Sequence, residues 1–144
     1  NILDSAKKGA YLIDMTTTSP QIAEKLYEEG TKRGFHVLDA PVTGGDTGAR
    51  EGTLSILVGG DKSDYTNCHE LFEAMGTNIN YEGSAGCGQH CKLANQIMIA
   101  GALSGVCEAL TYAKEKGLDL NVFSKSVATG QPEADSLICS DQRS

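Results

Sequence analysis

Residues 10–40, "AYLIDMTTTSPQIAEKLYEEGTKRGFHVLDA", decide the fold. The short apolar run at 10–15 follows a Lys-Lys-Gly sequence and predicts a buried strand. Ser19 and Pro20 are residue types preferred at the N-cap and at the first position of a helix, and a glycine ends the segment that follows. A second apolar run at 35–40 predicts another strand directly afterwards. This strand–helix–strand order indicates an α/β fold with parallel pairing.

The next segment, residues 41–61, is rich in glycine and reads "PVTGGDTGAREGTLSILVGGD". Because so many glycines disfavour regular structure, we expect a loop followed by a strand over 54–58. Asp61 is placed to cap a further helix, and "NINYEG" at 78–83 predicts a short closing strand.

A long segment without proline runs from residue 87 to residue 116 and ends at Gly117, a residue type typical of the C′ position. At 1.5 Å per residue it predicts a helix on the order of 40 Å long. Such a helix is longer than a small sheet domain can cover, so we expect it to cross to a second domain. "NVFSKSVAT" at 121–129 predicts another amphipathic helix, and the pattern stops after Gln131.

Composition excludes several classes of protein. The formal charge of -7 and the scattered lysines and arginines provide no basic face for a nucleic acid. No apolar run reaches the roughly 20 residues of a membrane span, and no signal peptide opens the chain. Five cysteines without framework spacing indicate reduced thiols, so we expect a cytoplasmic protein. The chain starts within what reads as the tail of a helix, which predicts a segment of a longer protein.

Residues 86–96, "GCGQHCKLANQ", concentrate chemically useful side chains. Cys87, His90 and Cys91 suggest zinc, but a structural zinc site needs four ligands, usually in two separated pairs. The sequence offers only Cys68-His69 as a second pair. Cysteines that are half-buried on a helix are the commoner case, and we expect no metal.

Lys92 is the stronger candidate in this segment. On a helix it shares a face with Asn95, Gln96 and Ile99. A lysine at the mouth of a cleft can bind an anion or move a proton, and neighbouring amides can hold an oxygen substrate. A solvated helix lysine would show the same spacing, so spacing alone leaves both interpretations open.

The "TGGDTGA" segment at 43–49 is ambiguous in the same way. Consecutive backbone N–H groups together with the Thr43 hydroxyl suit a carboxylate or a phosphate. The segment lacks the GxxxxGK[ST] pattern of a P-loop and the GxGxxG pattern of a dinucleotide fingerprint. Sharp turns in a sheet-rich region would explain its glycines equally well.

Taken together and in order, these segments resemble the β-hydroxyacid dehydrogenase family of 3-hydroxyisobutyrate dehydrogenase and tartronate semialdehyde reductase relatives. "DAPVTGGDTGAREGTL" matches the family pattern DAPVSGGxxGAxxGTL with Thr43 in place of Ser. The family pattern GxxGxGxxxKxxNN is matched with Lys92 and Asn95, and Gln96 stands where many relatives have Asn. "DMTTTSP" is similar to the family's D-x-S-T-x-x-P segment. The resemblance covers roughly residues 5 to 130.

The resemblance implies an NAD(P)-dependent oxidoreductase that interconverts a short 3-hydroxy acid and its semialdehyde or keto form, with NAD and NADP both open. It implies roles for these residues: Lys92 as general acid/base; Asn95 and Gln96 as substrate-orienting amides; Thr43, Gly44 and Gly45 on the substrate carboxylate; Thr17 on the cofactor. We interpret Asp14 and Asp39, which precede the ligand loops, as strand-end residues that cap turns.

The implied fold is the C-terminal half of a Rossmann-type dinucleotide-binding domain over residues 1–83. Residues 84–144 would form a long interdomain helix and the start of an all-α domain, through which relatives form homo-oligomers. The family's dinucleotide fingerprint has no counterpart in this sequence, and residues after Gly130 depart from the family pattern. An alternative is therefore a truncated or non-catalytic member that binds ligand or partner without turnover.

Overall fold

The computed structural model describes residues 2–128. Residues 2–94 belong to one compact unit and residues 95–128 to a second one. The end of the pattern after Gln131 lies outside the described residues.

The first unit contains a sheet with helices. Its strands are β1 (Tyr11–Asp14), β2 (His36–Asp39), β3 (Val42–Thr43), β4 (Leu54–Gly60) and β5 (Gly76–Gly83). Its helices are α1 (Ile2–Ser5), α2 (Pro20–Lys32), α3 (Gly45–Glu51) and α4 (Lys62–Glu73). The helix α5 (Cys87–Glu115) begins in this unit and continues into the second one, which also contains α6 (Leu120–Ala128).

The sheet is mixed. β1 pairs with β2 in parallel, as the strand–helix–strand order predicted, and β4 also pairs with β5 in parallel. β2 and β3, however, both pair with β4 in the antiparallel direction, which the sequence analysis did not predict. The connection from β3 to β4 carries only the short α3, and a parallel connection would need a longer crossover.

The core lies on β2 and β4 and against α4. Its members are Leu38, Ala40, Leu54, Ile56, Val58, Cys68 and Phe72. Phe72 of α4 is completely buried against these strands, and burial of an aromatic side chain of this size contributes about 1.5–3 kcal/mol. The core therefore fixes β2, whose carboxyl end belongs to the site described below, and β4, against which α5 begins.

Two helix starts test the capping predictions. Ser19 Oγ accepts the N–H of Ile22, which confirms Ser19 as the N-cap of α2. Asp61 occupies the N-cap position of α4, but its side chain makes no cap hydrogen bond and instead accepts the hydroxyl of Tyr27 at 3.0 Å. The sequence predicted that Asp61 stands at the N-cap of α4. It did not predict the hydrogen bond to Tyr27, because Tyr27 lies on α2, far from Asp61 in the sequence.

The glycine-rich segment contains a helix where the sequence predicted a loop. α3 occupies Gly45–Glu51, between Gly44 (φ 130°) and Gly52 (φ 66°). The glycines at its two ends supply the positive φ angles that let the chain enter and leave a single short helix. The predicted strand that follows is confirmed as β4.

In the second unit α5 continues to Glu115, and Gly117 follows it with φ 75° as predicted. Asp119 Oδ1 accepts the N–H groups of Asn121 and Val122 at 2.8 and 3.1 Å and so caps α6. Large apolar side chains are exposed along α5: Ile97, Met98, Ile99, Leu103 and Tyr112. By length and composition alone α5 could cross a membrane, so the expectation that no apolar segment reaches the length of a membrane span does not hold for this helix.

Candidate functional site

The site is built at the carboxyl ends of β1 and β2. These parallel strands end in register, with Asp14 opposite Asp39. Ligands of open α/β sheets bind outside the carboxyl ends of parallel strands. Asp14 Oδ1 accepts the N–H of Thr16 at 2.9 Å and its hydroxyl at 2.7 Å. Asp14 therefore caps the turn that follows its own strand, as predicted.

Asp39 has a different role from the predicted one. Its carboxylate is 4% exposed, and its two oxygens accept the backbone N–H groups of Gly86 (2.8 Å) and Gln89 (2.9 Å). These donors lie at the start of α5, where helix N–H groups have no partner within the helix. Asp39 thus caps the N-terminus of a helix that begins far along the chain, and the interpretation of a local turn cap was wrong.

Two glycines allow α5 to approach the sheet this closely. A Cβ atom at Gly88 would clash with the carbonyl oxygen of Leu57 and lie 2.8 Å from an Asp39 oxygen. A Cβ atom at Gly59 would lie 2.6 Å from the other Asp39 oxygen and 2.8 Å from the N atom of Gly88. Both positions therefore require glycine for a packing reason, since no side chain fits between the helix and β4.

Gln89 is the residue of this site that the sequence analysis did not single out. Its side chain is 1% exposed. Nε2 donates to the carbonyl oxygen of Thr16 at 2.7 Å, and Oε1 accepts the N–H of Thr18 at 3.0 Å. These bonds tie the start of α5 to the loop after β1. The available signal was the spacing to Lys92, because residues three apart on a helix share a face and Gln89 precedes Lys92 by three residues.

Lys92 follows Gln89 by three residues on α5 and is 9% exposed. In the described part of the chain, no hydrogen bond or ion pair to its ammonium group is found. Burial of an ammonium group without an ion pair is costly. Lys92 is therefore unlike a solvated helix lysine, and its environment favours the interpretation of a functional group.

Thr43, Gly44 and Gly45 lie on β3 and at the start of α3. Thr43 is half-buried and pairs with Ser55 of β4, whereas Asp39 pairs with Gly59. These pairs lie four positions apart along β4, a distance of roughly 13 Å by the rise of a strand. The segment thus continues beyond the carboxyl ends of β1 and β2. Gly44 and Gly45 have φ angles of 130° and 63°, and the first N–H groups of α3 follow them.

Asn95 and Gln96 open the second unit. The Nδ2 atom of Asn95 is buried and finds no hydrogen-bond acceptor among residues 2–128. A buried amide donor without an acceptor costs about 1–3 kcal/mol, so it fits a position that a ligand oxygen occupies. Gln96 is exposed.

The cysteines of "GCGQHCKLANQ" take no visible part in this arrangement. Cys68, Cys87, Cys91 and Cys107 are free thiols. Burial, with the nearby Glu82 carboxylate as a further cause, raises the pKa of the Cys91 thiol above its ordinary value. Over the described residues, no group of three His, Cys, Asp or Glu side chains could hold a metal ion.

The loop after β1 fits a nucleotide cofactor by its donor set. Thr16, Thr17 and Thr18 present three hydroxyl residues at the carboxyl end of a parallel strand, and Thr17 is exposed. Asp14 accepts the N–H of Thr16. Gln89 accepts the N–H of Thr18 and donates to the carbonyl oxygen of Thr16. The Thr17 side chain is thereby presented to solvent on a loop that is already held in place.

Residues 1–83 match the profile of the NAD binding domain of 6-phosphogluconate dehydrogenase. Residues 86–141 match the profile described as the NAD-binding of NADP-dependent 3-hydroxyisobutyrate dehydrogenase. The chain belongs to the β-hydroxyacid dehydrogenase family. The resemblance stated from the sequence motifs is confirmed, and so is the α/β fold class with a helical segment after the sheet.

Comparisons with individual relatives support the same family assignment. The chain is 50% identical over 129 residues to the uncharacterized oxidoreductase YkwC of Bacillus subtilis, covering 90% of this chain and 45% of that protein. It is 46% identical over 112 residues to 2-hydroxy-3-oxopropionate reductase of Escherichia coli, covering 78% of this chain and 38% of the relative. The chain thus spans less than half of the length of these curated relatives.

A solved structure of 3-hydroxyisobutyrate dehydrogenase from Mycobacterium tuberculosis, studied with L-serine, has the same fold. It superposes with a TM-score of 0.80 at 31% sequence identity and covers 88% of this chain and 44% of that one. In sequence and in structure alike, the chain corresponds to less than half of the length of these relatives.

Proposed function

We propose that this chain provides the proton-transfer and substrate-binding part of an NAD(P)-dependent oxidoreductase. The enzyme would interconvert a short 3-hydroxy acid and its semialdehyde or keto form. One observation carries the proposal: Lys92 is buried, has no ion pair among residues 2–128, and lies on a helix that Gln89 binds to the loop after β1. The family match and the named relatives support the reaction class.

The cofactor would supply the hydride for reduction as NADH or NADPH and would accept it in oxidation as NAD or NADP. Thr17 is the residue of this chain that would contact the cofactor, through its exposed hydroxyl. The neighbouring Thr16 and Thr18 would hold the loop backbone in place through the bonds to Gln89. Residues 1–83 would accordingly form the C-terminal part of the cofactor domain, and residues 84–144 the interdomain helix and the start of the helical domain.

Lys92 would act as the general acid and base. In reduction its Nζ gives a proton to the carbonyl oxygen while hydride reaches the carbonyl carbon, which yields the hydroxyl group. In oxidation the neutral amine takes the hydroxyl proton as hydride leaves the same carbon. One positioned group of this kind contributes about 10²–10⁴-fold to the rate.

Asn95 and Gln96 would orient the substrate. Asn95 follows Lys92 by one helical turn, and its Nδ2 lacks an acceptor in the described chain. Its amide would therefore donate to the substrate oxygen that exchanges a proton with Lys92, and Gln96 would add a second amide nearby.

Thr43, Gly44 and Gly45 would bind the substrate carboxylate. A hydroxyl and consecutive N–H groups after a sharp turn can each donate to a carboxylate oxygen. The net charge of -7 repels an acid at long range, so such local donors are needed to hold it.

We also propose a homo-oligomer, a cytoplasmic location and no membrane span. The exposed apolar side chains of α5 support a partner surface on the second unit, and the free thiols support a reducing compartment. We prefer the interpretation that a second copy of the protein covers the apolar surface of α5 over the interpretation that α5 spans a membrane.

The test is turnover by the complete gene product that contains this chain. Tartronate semialdehyde and succinic semialdehyde would be offered with NADH and NADPH, and 3-hydroxyisobutyrate and 2-(hydroxymethyl)glutarate with NAD and NADP. We expect turnover of at least one substrate. Cofactor binding without turnover of any 3-hydroxy acid or semialdehyde would favour the non-catalytic alternative, and a thermal-shift assay with both reduced cofactors detects that binding.

A further inference from the structure

The side-chain amide of Gln89 binds the loop after β1 in the way that one peptide group binds another. It accepts from the N–H of Thr18 and donates to the carbonyl oxygen of Thr16, at 3.0 and 2.7 Å. Both bonds bridge more than 70 residues of sequence, and Gln89 is 1% exposed. The two bonded residues flank Thr17, so Gln89 fixes the backbone on either side of it and leaves Thr17 itself free to meet a ligand.

Gln89 is held in place from its other side. Its backbone N–H is bound by the buried Asp39 carboxylate at 2.9 Å. The adjacent Gly88 lies against the backbone of β4, where no side chain fits. The loop after β1, the end of β2 and the start of α5 are thus joined through one residue, and Lys92 follows one helical turn later.

We infer that Gln89 is a positioning residue that sets the Thr16–Thr18 backbone for the nicotinamide cofactor and couples that loop to the helix of Lys92. The inference rests on the proposed function, since it assigns the loop to the cofactor. A loop that is held in its binding conformation before the ligand arrives loses less entropy on binding, which strengthens affinity. Gln89 would therefore act on cofactor affinity without touching the cofactor.

A residue that only stabilised the fold would behave differently. Its replacement would lower the melting temperature and the amount of active protein, but the protein that remained folded would bind the cofactor normally. The experiment must therefore measure affinity and local order in addition to stability.

The test compares three variants of the complete gene product. Gln89→Leu removes both loop bonds, and Gln89→Glu keeps an acceptor for Thr18 while it removes the donor to Thr16. Gln21→Leu is the matched control, because Gln21 is exposed on α2. The dissociation constants of NADH and NADPH are measured by cofactor fluorescence without substrate, the order of the loop by amide hydrogen exchange, and the separate KM values and kcat by steady-state kinetics.

For Gln89→Leu we expect the dissociation constant and KM of the cofactor to rise about tenfold, equivalent to 1.4 kcal/mol. The Thr18 amide should exchange faster without cofactor, and the KM of the hydroxy acid should stay near the wild-type value. Gln89→Glu should lie between Gln89→Leu and wild type, and Gln21→Leu should match wild type.

A Gln89→Leu protein with a lower melting temperature but unchanged cofactor affinity would overturn the inference. So would weakened affinity with unchanged exchange at Thr18. If the wild-type protein binds cofactor but turns over no acid, the proposed reaction fails, while the affinity and exchange data still decide the role of Gln89. A wild-type protein that binds neither cofactor would overturn both.

Discussion

The carboxylate of Asp39 accepts the backbone N–H of Gln89 at 2.9 Å, across 50 residues of sequence. Through this bond the end of a parallel strand caps the helix that carries Lys92. A carboxylate at a helix N-terminus is favoured both by its hydrogen bonds and by the helix dipole. The position of Lys92 relative to the sheet therefore depends on a residue that precedes the glycine-rich motif.

Replacement of Asp39 should destabilise the protein. In Asp39→Asn, the amide can accept only through its single oxygen, and its NH₂ group faces a second N–H donor. Because hydrogen bonds to a charged group contribute about 1.5–3 kcal/mol, we expect the free energy of unfolding to fall by about that amount in urea titrations.

Asp46→Asn is the matched control for this change. Asp46 is exposed and pairs with Arg50 on the surface of α3, and exposed pairs of this kind contribute at most about 1 kcal/mol. Equal losses in the two variants would show that Asp39 is no more than a surface carboxylate.

Replacement of two glycines of α5 by alanine should distinguish the effect of a close packing contact on stability from the effect of helix propensity. Gly88→Ala places a methyl group against the Leu57 carbonyl and the Asp39 carboxylate, and overpacking of this kind costs about 1–3 kcal/mol. Gly101→Ala lies on the same helix with no atom within 4 Å of the new Cβ and should gain about 1 kcal/mol. Denaturant midpoints measure both, and a Gly88→Ala protein as stable as Gly101→Ala would contradict the described packing.

The buried thiols predict a loss of stability at alkaline pH. Burial raises the pKa of Cys68 and of Cys91 above the ordinary value of 9.0, with Asp64 and Glu82 as respective further causes. The folded state therefore holds these protons more tightly than the unfolded state. The resulting stabilisation is complete below the unfolded pKa and is lost as the pH rises through the folded pKa.

Cys91→Ala tests this dependence. The free energy of unfolding, measured from pH 8 to pH 10.5, should decline less steeply in Cys91→Ala than in the wild type. Cys107→Ala, at an exposed position, should keep the wild-type slope. Parallel pH profiles for all three proteins would be inconsistent with a raised pKa of the half-buried Cys91 thiol.

Local patterns predicted the elements well. Ser19 and Pro20 began α2, the absence of proline predicted α5, and Gly117 ended it. α3 was missed because the glycines that weaken a helix by propensity also supply the turns that a short helix needs. The antiparallel pairing of β4 was missed because strand order depends on how the connections fold, which local patterns do not contain.

The sequence predicted the candidate site residues that belong to family motifs. It did not predict the residues whose roles depend on contacts between distant parts of the chain. Lys92 and the TGG segment came from the spacing of family motifs. The roles of Asp39 and Gln89 depend on contacts across 47 to 73 residues, which form only when α5 packs on the sheet. A buried polar side chain reveals its function through its partners, and a single sequence does not name them.

The proton-transfer role of Lys92 is tested most directly by steady-state kinetics of Lys92→Met in the complete gene product. Methionine fills similar space but carries no proton, so kcat should fall about 10²–10⁴-fold. Cofactor affinity, measured by fluorescence, should stay within about twofold of wild type, because an interaction made only in the transition state leaves ground-state binding intact. Lys114→Met, on the exposed end of the same helix, should retain full activity. A Lys92→Met enzyme whose kcat equals that of Lys114→Met would contradict the assignment of Lys92 as the general acid and base.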